Sequence, residues 1–487
     1  MNKTLLTDFY QLTMSMGFHK KKMNNDKVVF DLFFRKNPFG GSYTIFAGLE
    51  QIINFINDIE LNEEDIKYLS NQGFDESWLL YLKDNIKFTG DIYAVPEGSI
   101  VFPYEPIIRI TAKRDQAQLI ETPLLNIINH QTLIATKASR VVNSANGSPV
   151  LEFGLRRAQG PDAGIYGARA AVIGGCVATS NVLAGKMFNI PVKGTHAHSW
   201  IMSFDSELEA FRAYAKTFPR NCTLLVDTYN TLKSGVPNAI KVFKELKHKY
   251  TFENSTTNNF KFGIRLDSGD LAYLSREARK MLDDAGLYEV KIIASSDLDE
   301  DIIKSLQHQG AKIDIYGVGT KLITSYNQPA LGGVYKLAAE IKDEIIPKIK
   351  LSNNPIKITN PGIKKILRVY DKSTGKIKGD LLTLVDENIN NEKDLTLYDP
   401  EYTWKNITLK ANTYELREML QPIFKNGKCV YKLPSSIKEI QKYCKEELET
   451  LWPENKRLIN PEPVYVNLSD QLYDLKKEMI YKNKKVN

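Results

Sequence analysis

Between residues 148 and 340, short apolar runs alternate with longer segments that have helical periodicity. The runs are apolar on both faces, which favours strands buried within a parallel sheet. The predicted strands are Val150–Phe153, Ile190–Val192, Leu224–Val226, Phe260–Leu266, Val290–Ala294 and Ile313–Val318. The predicted helices are Ala168–Met187, Ser206–Phe218, Pro237–Lys249, Leu271–Ala285 and Glu300–Gln309. This alternation predicts an α/β fold for the middle of the chain.

The flanking regions mix strands and helices without that regular alternation. Strands are predicted at Val28–Phe34 and Ile107–Thr111 before the middle region, and at Lys365–Tyr370 after it. Ser435–Leu451 has the periodicity of a helix, and the Lys-rich segment Lys476–Asn487 is predicted to be a solvated, frayed end. The flanks therefore predict a second region of different architecture.

Polar and glycine residues stand at or just after the predicted strand ends. In an α/β barrel the carboxyl ends of the strands carry the active site, so these residues would converge on one cleft. The alternative is that they cap the following helices, because Ser, Thr and Asp are preferred N-caps. The segments are Gly194–Ser199, Asp227–Tyr229, Asp267–Asp270, Ser295–Asp297 and Gly317–Thr320.

Two histidines, His196 and His198, lie two residues apart in the first of these segments. In an extended segment they point to the same side, so spacing cannot choose between them. A metal pair is conceivable, but no third His or Cys ligand lies nearby in the sequence. A nucleophile or acid–base group in a cleft is the functional interpretation, and a polar turn is the structural one.

Charged residues accompany the other strand ends. Arg156 and Arg157 follow a buried strand, and adjacent guanidinium groups suit phosphate or pyrophosphate. Arg265 and Asp267 face the same side of an extended strand, where the cation can hold an anion and the carboxylate a sugar hydroxyl or Mg²⁺-bound water. Gly317 and Gly319 flank Val318 and form a turn that can aim backbone N–H groups at phosphate. This GxG segment lacks the third glycine of the dinucleotide-binding fingerprint.

Composition restricts the class of protein. The chain has 487 residues, 43% hydrophobic, and a net charge of +7 that fits small anionic substrates better than nucleic acid. No window has the roughly 18 apolar residues that a membrane span needs. The four cysteines form no CxxC pair, which makes a zinc site or disulfide framework improbable. We expect a cytoplasmic protein with no nucleic-acid or membrane partner.

The order of the motifs resembles the nicotinate phosphoribosyltransferase family. The resemblance covers most of the chain and is weakest over residues 341–460. The matching stretches are Thr7–Gln11, Phe34–Arg35, Ala47–Glu50, Glu152–Gln159, Ser180–Gly185, Gly194–Ser199, Leu225–Asn230, Gly263–Leu271, Gly317–Thr320, Leu331–Leu337 and, more weakly, Val466–Leu472.

The resemblance implies an enzyme that joins nicotinate to the ribosyl group of 5-phosphoribosyl 1-pyrophosphate in NAD synthesis, with Mg²⁺ as cofactor. It also implies ATP hydrolysis through a phosphohistidine and a homodimer with shared active sites. The implied fold is an irregular α/β barrel, as in type II phosphoribosyltransferases, beside an α/β sandwich built from both chain ends. We expect the sandwich at 1–135, the barrel at 136–345 and the rest of the sandwich with a helical tail at 346–487.

Residue roles follow from the same resemblance. His198 is the expected phosphohistidine, and Tyr10, Arg265 and Thr195 are expected to contact the pyridine ring. Arg156 would bind pyrophosphate. Ser180 replaces an Asp of the nicotinamide-using relative, which favours a carboxylate substrate. The remaining expected contacts are Gly319 and Thr320 for the 5-phosphate, and Asp227 and Asp267 for Mg²⁺ or ribose hydroxyls.

Other functions remain open on the residues alone. A nicotinamide-using relative is one alternative. A barrel fold also permits a phosphosugar isomerase or an aldolase, and a Schiff-base aldolase would need a lysine such as Lys321 or Lys336. A non-enzymatic binding module is a third class, against which the density of ionisable strand-end residues argues.

Overall fold

The computed structural model describes residues 3–252, 261–398, 404 and 406–484. They form two compact units, one from Met1–Thr136 with Ala330–Asn487 and one from Lys137–Pro329. The sequence-based division placed the end of the barrel at residue 345. The structure assigns the segment from Ala330 to the first unit, because the strand Val334–Ile341 pairs with Lys27–Phe33.

The N-terminal part of the first unit contributes most of its helices. Its elements, with α6 running into the second unit, are α1 Phe9–Lys20, β1 Lys27–Phe33, β2 Thr44–Ile45, α2 Leu49–Asn57, α3 Glu63–Asn71, α4 Glu76–Asn85, β3 Asp91–Ala94, β4 Ile100–Val101, β5 Ile108–Lys113, α5 Arg114–Leu119 and α6 Glu121–Ser144.

The second unit alternates strands and helices. Its elements are β6 Val150–Glu152, α7 Pro161–Ile173, β7 Ala178–Thr179, α8 Val182–Phe188, α9 His198–Met202, α10 Glu207–Thr217, β8 Asn221–Leu225, α11 Val236–Phe252, β9 Lys261–Leu266, α12 Leu271–Asp284, β10 Lys291–Ala294, α13 Glu300–His308, β11 Ile315–Val318 and α14 Thr320–Ile323.

The C-terminal part of the first unit is rich in strands. Its elements are β12 Val334–Ile341, β13 Ile345–Pro347, β14 Lys364–Asp371, β15 Ile377–Leu384, β16 Leu395–Tyr398, β17 Asn406–Leu409, β18 Tyr414–Glu418, β19 Gln421–Lys425, β20 Lys428–Cys429, α15 Ile437–Thr450, β21 Val466–Leu468 and α16 Asp470–Lys484.

The sheets of the first unit are built from both ends of the chain. Over the described residues, one sheet has the antiparallel order β13-β12-β1-β5-β3-β19-β20, and another has the order β18-β14-β15-β21. β1 lies between β12 and β5, and six of its seven residues are buried. Its one charged residue inside the sheet, Asp31, can be buried because its carboxylate pairs with the Lys364 ammonium at 2.8 Å. The chain ends therefore share one apolar core.

The second unit contains a curled parallel sheet with the order β7-β6-β11-β10-β9-β8. Its strands are short and mostly apolar, and helices follow them along the chain, as in other parallel α/β sheets. Several helices begin at polar caps, for example Asp270, which accepts from the Tyr273 amide at 2.9 Å. The α/β fold predicted for the middle region, with a barrel-like parallel sheet and a sandwich from both chain ends, is confirmed.

Three sequence-based elements were wrong. The predicted strand Ile190–Val192 does not form, and Val192 makes only an isolated parallel bridge with Thr179. The predicted helix Ala168–Met187 is two helices, α7 and α8, separated by β7. Gly175 has a φ of +113°, a conformation that ends α7, and β7 then pairs with β6. In the tail predicted to be frayed, residues 476–484 are helical within α16, and residues 485–487 lie outside the described residues. The Lys476 Nζ donates to the Asn360 side chain at 2.8 Å.

Candidate active site

The carboxyl ends of β6 to β11 surround a cavity of about 600 Å³. This is the convergence that the sequence predicted for the polar strand ends. Eight of the predicted site residues line it: Arg156, Ser180, Thr195, His198, Arg265, Asp267, Gly319 and Thr320. Asp227 is not among the lining residues but accepts a hydrogen bond from the amide of Asp267, which is one of them. Tyr10 lies on α1 in the first unit, where it is 48% exposed.

Arg265 is the centre of a hydrogen-bond network at the end of β9. Its Nε donates to the Ser295 hydroxyl at 2.8 Å, its Nη1 to the Thr195 hydroxyl at 3.1 Å and its Nη2 to the Asp267 carboxylate at 2.9 Å. A guanidinium has five N–H donors, so donors remain for an anionic ligand. Ser295 also donates to Asp267, which fixes the carboxylate. The network holds a cation and an anion side by side at the cavity.

Asp227 follows β8 and is hydrogen-bonded to the loop that begins at Asp267. Its Oδ2 accepts from the Asp267 amide at 2.9 Å and from the Ser268 hydroxyl at 2.6 Å. Its Oδ1 is buried without a hydrogen-bond partner in the residues that the structure describes. A buried acceptor without a donor is costly, so this oxygen is suited to a ligand hydroxyl or a cation.

These carboxylates also bear on metal binding. No group of three or more His, Cys, Asp and Glu side chains suited to a metal occurs within the described ranges. Mg²⁺ differs from most metals in that it commonly keeps several waters and uses one or two carboxylates plus substrate phosphates. The free Oδ1 of Asp227 and the cavity-facing carboxylate of Asp267 therefore fit Mg²⁺ bound together with a phosphorylated substrate.

His196 and His198 occupy different environments, although an extended segment would place them on one side. His196 is buried, and its ring packs against Phe211 and Tyr214. Its Nε2 accepts a hydrogen bond from the Leu225 amide at 3.2 Å. Burial lowers the pKa of His196 to about 4, which keeps the ring neutral.

The His198 side chain is 41% exposed. Its Nδ1 is 3.1 Å from the Thr228 hydroxyl, and its Nε2 is 3.9 Å from the nearer carboxylate oxygen of Asp267. The two histidines diverge because the chain turns into α9 at His198. Only His198 presents a ring nitrogen to the cavity that no protein hydrogen bond within the described residues already uses.

The loop after β6 supplies cations. Arg156 and Arg157 lie in the 3₁₀ helix Leu155–Arg157, are exposed and line the cavity. Neither guanidinium hydrogen-bonds an acceptor in the described part of the chain. On the neighbouring strand, Gly317 lies in β11 and Gly319 directly follows it, and a Cβ at Gly317 would lie 2.7 Å from the Phe153 ring. The small residues therefore allow β11 and β6 to approach closely.

The sequence reasoning missed some cavity residues. Phe153 lines the cavity but was not predicted as a site residue, and Ser295 and Asp297 also line it, although the sequence had named them only within a strand-end segment and assigned them no role. All three directly follow strands or stand within three residues of a strand end, and this position was the available signal. Not every strand-end residue faces the cavity, however, since Asp270 caps α12 and Asp299 caps α13. The capping interpretation is thus right for some residues and the site interpretation for others.

A parallel sheet with ionisable side chains gathered at its carboxyl ends is the arrangement of an α/β enzyme. Over the described residues, no helix combines the length and apolar character that a bilayer-crossing segment requires.

Family models give the class a name. The nicotinate phosphoribosyltransferase N-terminal domain matches residues 5–129, the nicotinate phosphoribosyltransferase family model matches 149–368, and the C-terminal domain matches 363–476. The nicotinate phosphoribosyltransferase of Bacillus subtilis is 46% identical over 99% of this chain and 96% of its own length. The human nicotinate phosphoribosyltransferase is 32% identical over 97% of this chain and 96% of its own length. The chain belongs to the nicotinate phosphoribosyltransferase family.

Solved structures agree on the fold. The crystal structure of human nicotinic acid phosphoribosyltransferase has a TM-score of 0.84 and 30% identity, over 97% of this chain and 99% of that chain. The nicotinate-nucleotide pyrophosphorylase of Pyrococcus furiosus has a TM-score of 0.68 at 23% identity, over 92% of this chain and 96% of that chain. The second likeness concerns the fold alone.

Proposed function

We propose that this protein transfers the 5-phosphoribosyl group from phosphoribosyl pyrophosphate to nicotinate, giving nicotinate mononucleotide and pyrophosphate for NAD synthesis. The observation that carries the proposal is the cavity itself. Arg156 and Arg157, which have no hydrogen-bond acceptor within the described residues, line one cavity with the Arg265–Asp267 pair. Asp227, hydrogen-bonded to the Asp267 amide, has a buried oxygen that also lacks a partner there. These are the groups that a pyrophosphorylated sugar and an anionic pyridine require.

Each part of the sugar substrate has a complementary group. Arg156, with Arg157 beside it, binds the pyrophosphate, because guanidinium groups form paired hydrogen bonds with phosphate oxygens. The backbone at Gly319 and the Thr320 side chain bind the 5-phosphate. Asp227 and Asp267 accept hydrogen bonds from the ribose hydroxyls or hold Mg²⁺. The groups that bind pyrophosphate, the 5-phosphate and the ribose thus follow β6, β11 and β8 or β9, respectively.

In the reaction, the bond between the ribosyl carbon and pyrophosphate breaks, and the pyridine nitrogen of nicotinate forms the new bond to that carbon. Positive charge develops on the sugar, as in other glycosyl transfers. Arg156 stabilises the negative charge that accumulates on the departing pyrophosphate. The carboxylate of Asp267 lies where it offsets the charge on the sugar. Bound Mg²⁺ would add charge neutralisation at the pyrophosphate.

Recognition of nicotinate rests on Arg265, Thr195 and Ser180. The remaining N–H donors of Arg265 suit the nicotinate carboxylate, and Thr195 is held next to them by its hydrogen bond to Nη1. Ser180 lines the same cavity and carries no charge. A negatively charged residue at this place would repel a carboxylate, so Ser180 favours nicotinate over nicotinamide.

ATP hydrolysis is coupled to the transfer through His198. The Nε2 of His198 attacks the γ-phosphorus of ATP, the bond to the β-phosphate oxygen breaks, and ADP leaves. Hydrolysis of the phosphohistidine then releases phosphate and restores the ring. The exposed ring and the Nδ1 contact with Thr228 support this role. His196 is unsuited to it, since its Nε2 already accepts the Leu225 amide proton.

The protein acts as a homodimer in which Tyr10 of each subunit reaches the partner's cavity. Phe9 and Tyr10 are 57% and 48% exposed on α1, and exposed aromatic side chains next to each other suit a contact between copies. A Tyr10→Ala subunit mixed with a His198→Ala subunit tests this. Activity that differs from the average of the two parents supports sharing, and a simple average contradicts it.

A Schiff-base aldolase is disfavoured by the two candidate lysines. Lys321 pairs with Asp299 at 2.6 Å, and this hydrogen bond raises the pKa of Lys321, the opposite of what an amine nucleophile needs. Lys336 lies on β12 in the first unit and is not among the residues that line the cavity.

The decisive assay combines the protein with nicotinate, phosphoribosyl pyrophosphate, Mg²⁺ and ATP, and measures nicotinate mononucleotide and pyrophosphate. We expect both products in equal amounts, with much less product from nicotinamide. Omitting ATP separates transfer from coupling, and Arg212→Ala, an exposed arginine of the same unit paired with Glu245, is the surface control. Absence of the mononucleotide in the complete mixture would reject the proposal.

A second assay tests the coupling. After incubation with γ-labelled ATP, acid-labile phosphate should map to His198 and be absent from His198→Asn. Residual ribosyl transfer in that variant, without stimulation by ATP, would show that coupling is separable from transfer. Label on His196, or label that survives in His198→Asn, would overturn the assignment.

A further inference from the structure

A buried carboxylate lies at the carboxyl end of β6, directly before the cavity residue Phe153. Glu152 is fully buried. One of its oxygens accepts from the Gly154 amide, and the other accepts from the Thr179 hydroxyl at 2.6 Å. Within the described residues it forms no ion pair. Glu152 therefore depends on two neutral donors for its stabilisation.

Such a group is costly for the fold. Burial raises the pKa of Glu152, and the hydrogen bonds from Thr179 and Gly154 act in the opposite direction. A buried carboxylate without a cation is generally less favourable than a well-packed neutral side chain. Stability alone thus gives no reason for Glu152, which directs attention to what its two donors hold in place.

The two donors begin the two loops that carry cavity residues. Gly154 leads into the 3₁₀ helix that presents Arg156, and a Cβ at Gly154 would clash with Ile323 and with the Glu152 carboxylate. Thr179 precedes Ser180, whose amide donates to the Glu152 carbonyl at 2.9 Å. The close approach of the Gly154 backbone to the carboxylate therefore depends on glycine at this position.

The hydrogen bonds continue beyond Thr179. Its hydroxyl oxygen also accepts from the Asn181 amide at 2.9 Å. The Asn181 side chain in turn caps α8 by accepting from the Ala184 amide at 3.1 Å. The carboxylate is thus the common acceptor between the loop after β6 and the start of α8.

We infer that Glu152 is a positioning residue. It holds the loop of Arg156, which binds pyrophosphate, and the loop of Ser180, which recognises nicotinate, at a fixed separation. The inference rests on the proposed function, because it assigns the two loops to the two substrates. Glu152 acts on both substrates through its two hydrogen bonds without contacting either of them.

Glu152→Gln is the informative substitution. Glutamine has the same shape, but its NH₂ group is itself a donor. It must face either the Gly154 amide or the Thr179 hydroxyl, both of which now donate to the carboxylate. We expect the KM for phosphoribosyl pyrophosphate to rise about tenfold or more, and the preference for nicotinate over nicotinamide to fall by a similar factor. Arg156→Ala should change mainly the first parameter, and Ser180→Asp mainly the second. A simultaneous change in both distinguishes Glu152 from either loop residue.

Thr179→Val removes the hydroxyl at similar volume and should reproduce the fall in nicotinate preference. Glu207→Gln is the matched control, since Glu207 is a buried carboxylate of the same unit, accepts from Asn238 at 2.9 Å and does not line the cavity. The control should leave both the KM and the substrate preference unchanged, whatever its effect on the unfolding temperature.

The outcomes separate the two proposals. Failure of the wild-type protein to form the mononucleotide rejects the proposed function. An active wild type, together with a Glu152→Gln variant whose KM and substrate preference match those of Glu207→Gln, rejects the positioning role. If Glu152→Gln does not fold, Thr179→Val decides, and an unchanged substrate preference in that variant also rejects the role.

Discussion

Two arginines, one in each unit, are used in opposite ways. In the first unit, Arg368 is fully buried, binds both oxygens of Asp380 at 2.7–3.2 Å, donates to Glu447 at 3.1 Å and donates to the Ile100 carbonyl at 2.9 Å. In the second unit, Arg156 is exposed at the cavity and has no acceptor within the described residues.

This difference distinguishes charged groups that stabilise the fold from charged groups that are available to bind a ligand. A buried guanidinium is stable only when its donors are satisfied internally, so Arg368 has no capacity left for a substrate. An unpaired guanidinium at a cavity remains hydrated and can exchange water for phosphate oxygens. Four predictions test the contrast.

The largest expected effect is on folding of the first unit. Arg368→Met leaves Asp380 buried without its cation and removes one of the two arginines paired with Glu447, so it should lower the free energy of unfolding by about 3–5 kcal/mol. Denaturant titration measures this loss. Arg417→Met is the comparison, because Arg417 also pairs with Glu447 but is 40% exposed, and its effect should be smaller. Equal losses in the two variants would contradict the account.

The next effect is on catalysis by the second unit. Arg156→Ala should lower kcat/KM for phosphoribosyl pyrophosphate about 100-fold, because it removes a cation from the leaving group. The midpoint of denaturant unfolding should stay close to that of the wild type. Arg212→Ala controls for loss of an exposed arginine. A folded Arg156→Ala enzyme with normal kinetics would remove Arg156 from the site.

The two histidines extend the contrast to pH. The folded pKa of His196, about 4, lies below its ordinary value of 6.5, so between these limits the unfolded chain binds more protons than the native protein. The free energy of unfolding is therefore highest above pH 6.5 and falls as the pH is lowered towards 4, by on the order of 3 kcal/mol. Unfolding titrations across this range should show a shallower slope for His196→Gln. A slope unchanged from wild type would contradict this assignment.

The smallest expected effect concerns substrate choice. Ser180→Asp places a carboxylate near the nicotinate carboxylate and should lower kcat/KM for nicotinate about tenfold. Ser180→Asn, which adds similar volume without charge, is the control. A loss of equal size in the two variants would indicate crowding instead of charge repulsion.

The sequence predicted the parallel sheet because its strands are short apolar runs whose polar residues stand at the ends. It could not predict the break between α7 and α8, since β7 has two residues and exists only through its pairing with β6. The different environments of His196 and His198 were equally inaccessible to residue spacing. Their difference arises from Leu225 and Thr228, which are about 30 residues away along the chain.

The central claim is that the cavity at the carboxyl ends of β6 to β11 binds the two substrates. A crystal structure of the protein with nicotinate, phosphoribosyl pyrophosphate and Mg²⁺, using His198→Asn to slow turnover, tests it most directly. We expect pyrophosphate at Arg156, the 5-phosphate at Gly319 and Thr320, and the nicotinate carboxylate at Arg265. Substrate density outside this cavity, with the cavity filled only by water, would contradict the account.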